Sequence, residues 1–100
     1  MRFASLGSGS RGNGTIVASQ TTILLVDCGF SYKEALHRLK RLELEPTDLS
    51  GILVTHEHGD HVSGVETLAN RHSIPVYASR GTWIEIGANK FKNPMYINAL

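Results

Sequence analysis

The sequence contains little of what marks membrane proteins, secreted proteins or strongly basic nucleic-acid-binding proteins. Its single cysteine, Cys28, allows no internal disulfide and is typical of a reducing compartment. No apolar run approaches the roughly 20 residues that span a bilayer, and the chain reaches Gly7 before a secretory signal could develop. Because the net charge is only +1, a nucleic-acid-binding surface would have to be a local basic patch. We therefore expect a cytoplasmic protein that has no membrane partner.

What the sequence does contain is ordinary for a globular protein. Its length of 100 residues fits one domain, residues 1–100, and 41% of the residues are apolar. β-Branched and apolar runs predict strands at 2–6, 15–19, 22–27, 51–55, 74–78 and 95–98. Of these, the second and third are close enough in sequence to form a hairpin.

Helical patterns alternate with the later strands. Ser31 and Glu34 have the spacing of a capping box, and apolar residues then recur at helical intervals up to Leu42. A second apolar stripe runs from Val62 to Ala69, and a third helix is predicted from Thr82 to Lys90. This order predicts an α/β fold in which helices pack on a sheet, that is, an α+β layer arrangement.

A cluster of histidines follows the strand at 51–55. In extended backbone, alternate side chains point the same way, so His56, His58 and Asp60 can converge while His61 aims at a neighbouring point. The spacing suits two close metals, with His56 and His58 on one and Asp60 and His61 on the other. Imidazole and carboxylate ligands indicate two divalent ions. We expect Zn²⁺, with Mn²⁺ or Fe as alternatives.

These four ligands do not complete a two-metal site. Two four-coordinate metals need about eight ligand positions, some of them filled by water. The remaining histidines, His37 and His72, fall at positions where surface or helix-end roles are expected. Asp60 taken alone could also be only the N-cap of the following helix.

The sequence resembles the metallo-β-lactamase-fold hydrolases, and the resemblance covers essentially all 100 residues. Their H-x-[EH]-x-D-H motif is matched by residues 56–61, and their earlier acidic residue at a strand end is matched by Asp27. The opening Ser8-Gly9-Ser10-Arg11-Gly12-Asn13 is similar to that of bacterial exonuclease-like members, which are often associated with cell-wall regulatory operons.

The resemblance implies an αββα sandwich built from two similar halves, of which this chain is the N-terminal part, truncated before the remaining ligands. It implies metal binding by His56, His58, Asp60 and His61, with Asp60 as the candidate catalytic residue. Asp27 would orient the site without binding a metal, or could serve only as a cap at its strand end. The implied activity is that of a phosphodiesterase or exonuclease that cuts nucleic acid through a metal-bound hydroxide.

The glycine-rich segment at residues 7–12 allows an interpretation independent of the family resemblance. Residues 7–12 match G-x-G-x-x-G, but a strand follows instead of a helix, which argues against dinucleotide binding. Backbone N–H groups of this loop could hold a substrate phosphate beside Ser8, Ser10 or Asn13. A plain turn is the equal alternative.

Other interpretations remain open. The chain could hydrolyse a thioester or other acyl substrate, or it could be a non-catalytic half-domain. A half-domain would expose an apolar sheet face and would self-associate or pair with the missing C-terminal half. Lys33, Lys40 and Arg41 could touch a phosphate backbone, although a solvated helix face is the default expectation. Core packing is expected for Cys28, Trp83 and Phe91.

Overall fold

A single six-stranded sheet organises the chain. The computed structural model describes residues 1–7, 14–55 and 62–98. The strands, in chain order and also in sheet order, are β1 (Arg2–Gly7), β2 (Gly14–Ala18), β3 (Ile23–Val26), β4 (Gly51–Leu53), β5 (Val76–Ser79) and β6 (Pro94–Ile97). The helices are α1 (Tyr32–Arg41), α2 (Val62–His72) and α3 (Arg80–Ile86), with 3₁₀ turns at Pro46–Asp48 and Ala88–Lys90.

The sheet is antiparallel on one side and parallel on the other. β1, β2 and β3 pair antiparallel, as the predicted hairpin requires, and β3 to β6 pair parallel. Each parallel strand reaches its neighbour through one helix. Because such crossovers are right-handed and all step in the same direction, the three helices cover the same face. The predicted α/β layers are confirmed.

The covered face holds the hydrophobic core. Leu25, Ile52 and Val76 lie side by side in register across β3, β4 and β5, and each is at most 1% exposed. Leu39 of α1 and Leu68 of α2 are fully buried in the same core. The apolar stripes predicted for the two helices therefore face the sheet.

The opposite face of the sheet stays partly open to solvent. Leu53, Tyr77 and Met95 form a register row across β4, β5 and β6, and Met95 is 44% exposed. Phe3 on the edge strand β1 is 69% exposed. This face is apolar and no described element covers it, as the half-domain hypothesis expects.

One helix prediction was wrong in its bounds. The third helix was predicted from Thr82 to Lys90, but α3 spans Arg80–Ile86. Ser79 caps it by accepting a hydrogen bond from the Thr82 N–H at 3.3 Å. Gly87, with φ +88°, ends it because that conformation breaks a right-handed helix.

The core packing predicted for the aromatic residues near this helix is confirmed. Phe91 lies beyond the helix, yet its ring packs edge-on against Trp83 with the centroids 5.1 Å apart. The Trp83 indole N–H also donates to the Met95 carbonyl at 2.8 Å. These contacts attach β6 to α3.

No helix in the described part of the chain is long and apolar enough to cross a bilayer.

Candidate metal centre

The residues that flank the predicted site lie at the edge where the parallel strands end. Carboxyl ends of neighbouring parallel strands meet at one edge, and this is where α/β proteins bind their ligands. Asp27 directly follows β3, and Thr55 lies two residues beyond β4. The four predicted ligands, His56, His58, Asp60 and His61, lie outside the described residues, which resume at Val62 in α2.

Asp27 connects the ends of these two strands. Its backbone N–H donates to the Leu53 carbonyl at 2.8 Å. Its carboxylate accepts two hydrogen bonds from Thr55, one from the backbone N–H to Oδ1 at 2.8 Å and one from the hydroxyl to Oδ2. The residue immediately before His56 is therefore fixed by a charged acceptor on the neighbouring strand. Charge-assisted bonds of this kind are stronger than neutral ones.

The backbone at Asp27 has an uncommon conformation. Its φ is +53°, a left-handed value that aspartate tolerates better than most residues because its short side chain can bond locally. The turn directs the chain away from β3 while the carboxylate contacts Thr55. The strand-end acid predicted from the sequence thus has a defined structural task. Its action on a metal stays a prediction.

The glycine-rich loop begins and ends at the same edge. Gly7 and Gly14 pair across β1 and β2, with residues 8–13 between them outside the described part. A Cβ built on Gly14 would lie 2.7 Å from the Asp27 carbonyl oxygen, so the start of β2 is in close contact with Asp27. The predicted phosphate contacts Ser8, Ser10 and Asn13 lie outside the described residues. Asp27 nevertheless touches a flank of this loop and a flank of the histidine motif.

Arg38 fixes the other flank of the loop. Its Nη1 donates to the Leu6 carbonyl at 2.6 Å, and its Nε pairs with the Glu34 carboxylate at 2.8 Å. The guanidinium also lies over the Phe30 ring, 4.4 Å from its centroid. The sequence predicts a capping box between Ser31 and Glu34. The Ser31 hydroxyl accepts a hydrogen bond from the Glu34 N–H at 3.2 Å, and Glu34 Oε2 accepts a hydrogen bond from Arg38 Nε.

The first turn of α2 packs closely on the chain that follows Asp27. A Cβ on Gly64 would lie 2.0 Å from the Phe30 carbonyl oxygen, so only glycine allows this approach. Gly64 is three residues beyond His61. The motif is thus bounded by Thr55 on one side and by this tight helix contact on the other.

Two residues of this framework were missed in the sequence. The strand pattern places Thr55 only at a strand end, although a hydroxyl next to a ligand motif is a usable signal. The helical pattern gives Gly64 no role, although a glycine inside a helix can mark a close packing contact.

The remaining candidates lie elsewhere. His37 is exposed on α1, and His72 at the end of α2 bonds the Tyr32 hydroxyl at 2.9 Å. Cys28 is 4% exposed and belongs to the hydrophobic core, which confirms the predicted packing role. Burial also raises the pKa of its thiol. Among the described residues no three His, Cys, Asp or Glu side chains cluster as metal ligands do. The donor set therefore rests on the motif itself, whose chemistry fits divalent ions.

Comparison with known proteins identifies the family. Residues 7–95 match the family model of the metallo-β-lactamase superfamily. The chain is 47% identical over 83 residues to exodeoxyribonuclease YycJ of Bacillus anthracis, covering 83% of this chain and 31% of that protein. It is 38% identical over 90 residues to exodeoxyribonuclease WalJ of Streptococcus pneumoniae, covering 90% of this chain and 34% of that protein.

Solved structures agree on the fold. A subclass B3 metallo-β-lactamase isolated from a soil metagenome library superposes with a TM-score of 0.72 at 21% identity, over 87% of this chain and 40% of that one. The chain spans about a third of the length of the curated relatives named above. Its sequence and its fold together show that the chain belongs to the metallo-β-lactamase superfamily.

Proposed function

We propose that the protein containing this chain is a metal-dependent phosphodiesterase that cuts DNA as an exonuclease. The main support is the framework around Asp27, which contacts a flank of the histidine motif and a flank of the glycine-rich loop. Ligand side chains and phosphate-binding backbone would then meet at one edge of the sheet. The relatives named exodeoxyribonucleases support DNA as the substrate.

The proposed roles follow from the donor types. His56 and His58 would hold one divalent ion, and Asp60 and His61 would hold the other, with Zn²⁺ expected and Mn²⁺ or Fe as alternatives. When bound, two such ions lower the pKa of a water and offset the charge that develops on the reacting phosphoryl oxygens.

The side chains around the ions have supporting tasks. Asp27 would hold the start of the motif through Thr55 and so limit the positions that the ligands can take. Ser8, Ser10 and Asn13, together with the backbone N–H groups of their loop, would bind the substrate phosphate. The single buried cysteine is in keeping with action in the reducing cytoplasm.

The test compares a ligand variant with a matched histidine variant in the intact protein. His58→Ala should lose bound metal and at least a hundredfold of kcat/KM on bis-p-nitrophenyl phosphate, because metal catalysis supplies the nucleophile. The control His37→Ala alters an exposed histidine on α1 and should match the wild type. Hydrolysis of a thioester without any phosphodiester turnover would contradict the proposal and favour a hydrolase of acyl substrates.

The open sheet face favours a second candidate for the 100-residue chain by itself. Exposed apolar side chains such as Phe3 and Met95 lie on a face that no described element covers. The chain alone would then be a non-catalytic half-domain that pairs with the rest of the protein or with itself. Size-exclusion chromatography with metal analysis tests this, because a monomer holding two metals per chain would contradict it.

A further inference from the structure

Positive charge in this chain is concentrated on one helix. α1 carries four of the ten lysines and arginines and only one of the nine acidic residues. The remaining 90 residues have six basic and eight acidic side chains, so the rest of the chain is slightly acidic. The net charge of +1 conceals this division.

The exposed basic side chains of α1 form one stripe. Lys33, His37, Lys40 and Arg41, here called the basic stripe, are all exposed and lie at the i, i+4, i+7 and i+8 positions of one helix face. At about 1.5 Å per residue the stripe is roughly 12 Å long. Glu43 and Glu45 follow the helix and end the stripe.

The stripe is not neutralised within the described part of the chain. The one ion pair found there joins Arg38 to Glu34, the sole acid of the helix. Lys33, Lys40 and Arg41 therefore have no carboxylate within ion-pair distance among those residues. Arg41 lies near the stripe's own His37, with Nη2 and Nε2 3.4 Å apart. An unneutralised stripe is the arrangement that attracts a polyanion.

The stripe begins beside the candidate site. Lys33 lies two residues after Ser31, whose Cα would be 3.3 Å from a Cβ on Gly64. That contact joins the start of α1 to the first turn of α2, which directly follows the metal-ligand motif. A strand whose end occupied the site could thus continue along α1 in contact with successive basic side chains.

We infer that the basic stripe of α1 binds the phosphate backbone of the DNA strand whose end enters the metal site. The inference rests on the proposed function and adds the track that the rest of the strand follows. The recognition is electrostatic and independent of base sequence, as suits an exonuclease that advances along DNA.

Binding of a single-stranded oligodeoxynucleotide to the intact protein, measured in chelator so that no strand is cut, tests the inference. Lys33→Gln combined with Lys40→Gln should weaken binding at least tenfold at about 50 mM salt. It should also make the slope of log affinity against log salt less steep by about 1.4. Lys33→Arg with Lys40→Arg keeps the charges and should bind like the wild type.

The matched control removes two lysines that lie outside α1, just before the edge strand β6. Lys90 and Lys92 are exposed and precede β6, and their contacts to Asn70 use backbone atoms that substitution leaves in place. Lys90→Gln with Lys92→Gln should leave both affinity and slope unchanged. Equal losses in the two glutamine variants would overturn the inference, because they would show only a general effect of charge.

Turnover of bis-p-nitrophenyl phosphate separates this inference from the proposed function. The small substrate cannot reach along α1, so the stripe variant should retain its kcat/KM. If the wild type cleaves neither this substrate nor DNA, the proposed function fails. If the wild type cleaves DNA but the stripe variant binds DNA as tightly as the wild type, only the stripe inference fails. The same holds if the stripe variant also loses turnover of the small substrate. Tighter binding to phosphatidylserine vesicles than to DNA would also overturn it.

Discussion

Removing the Asp27 carboxylate should destabilise the fold at the edge that holds the site. Asp27→Ala deletes both hydrogen bonds to Thr55, each worth about 1 kcal/mol where water can replace the lost acceptor. Alanine at a φ of +53° adds roughly 1–2 kcal/mol of backbone strain. The free energy of unfolding should therefore fall by about 3–4 kcal/mol, measured by urea denaturation of the intact protein.

A milder pair of substitutions isolates the contact itself. Asp27→Asn keeps the side-chain shape and tolerates the left-handed backbone, and Thr55→Val removes only the hydroxyl. Asp27→Asn replaces a charge-assisted bond to the Thr55 hydroxyl with a neutral one, because the amide can still donate to that hydroxyl. Each variant should cost about 1 kcal/mol, and the double variant should cost less than the sum by at least 0.5 kcal/mol, since both act on the same hydrogen bond. Glu85→Ala, an exposed acid on α3, is the control and should change little.

Two results would refute this reasoning. The first is a free energy of unfolding for Asp27→Ala within about 0.5 kcal/mol of the wild type, the range expected of an ordinary surface substitution. The second is a double variant in which the effects of Asp27→Asn and Thr55→Val add independently. Either outcome would mean that the Asp27–Thr55 contact does not hold the two strand ends together.

Two further predictions concern packing. Gly64→Ala should lower the free energy of unfolding by about 2 kcal/mol, because the new Cβ would clash with the Phe30 carbonyl oxygen. The control Gly81→Ala places its Cβ where no atom lies within 4 Å, so it should be neutral or stabilising. Equal effects of the two substitutions in urea denaturation would contradict this prediction. Because burial raises the pKa of the Cys28 thiol, the native protein should alkylate far more slowly at pH 8 than the unfolded chain, and rapid native labelling would disprove it. The folded state binds this proton more tightly, so stability should fall as the pH rises above the thiol's ordinary pKa of about 8.5.

Much of the fold could be predicted because local patterns and tertiary packing agree. Ala35 and Leu39 of α1 are fully buried, and Leu36 and Leu42 pack partly buried against the same core. The two β-branched runs form the expected hairpin. The end of α3 was missed because the apolar pattern continues through Phe91, whereas the backbone turns at Gly87. The spacing of apolar residues indicates which side chains are buried, but it does not indicate where the helix ends.

The candidate ligands could be named from the sequence, whereas the framework around them could not. Asp27 could be placed beside the motif because a strand-end acid is a visible signal. Its bonds to Thr55 join residues 28 positions apart, and the contact of Gly64 with Phe30 depends on how α2 lies on the chain. Such distances between elements are set by the folded structure, so spacing along the sequence cannot supply them.

We propose that the histidine motif binds two metals beside Asp27. Anomalous diffraction from crystals of the intact protein, recorded across the zinc absorption edge, would locate them. Two peaks are expected, one contacted by His56 and His58 and the other by Asp60 and His61. The absence of any peak at the motif in crystals grown with zinc would contradict it, as would peaks confined to His37 or His72.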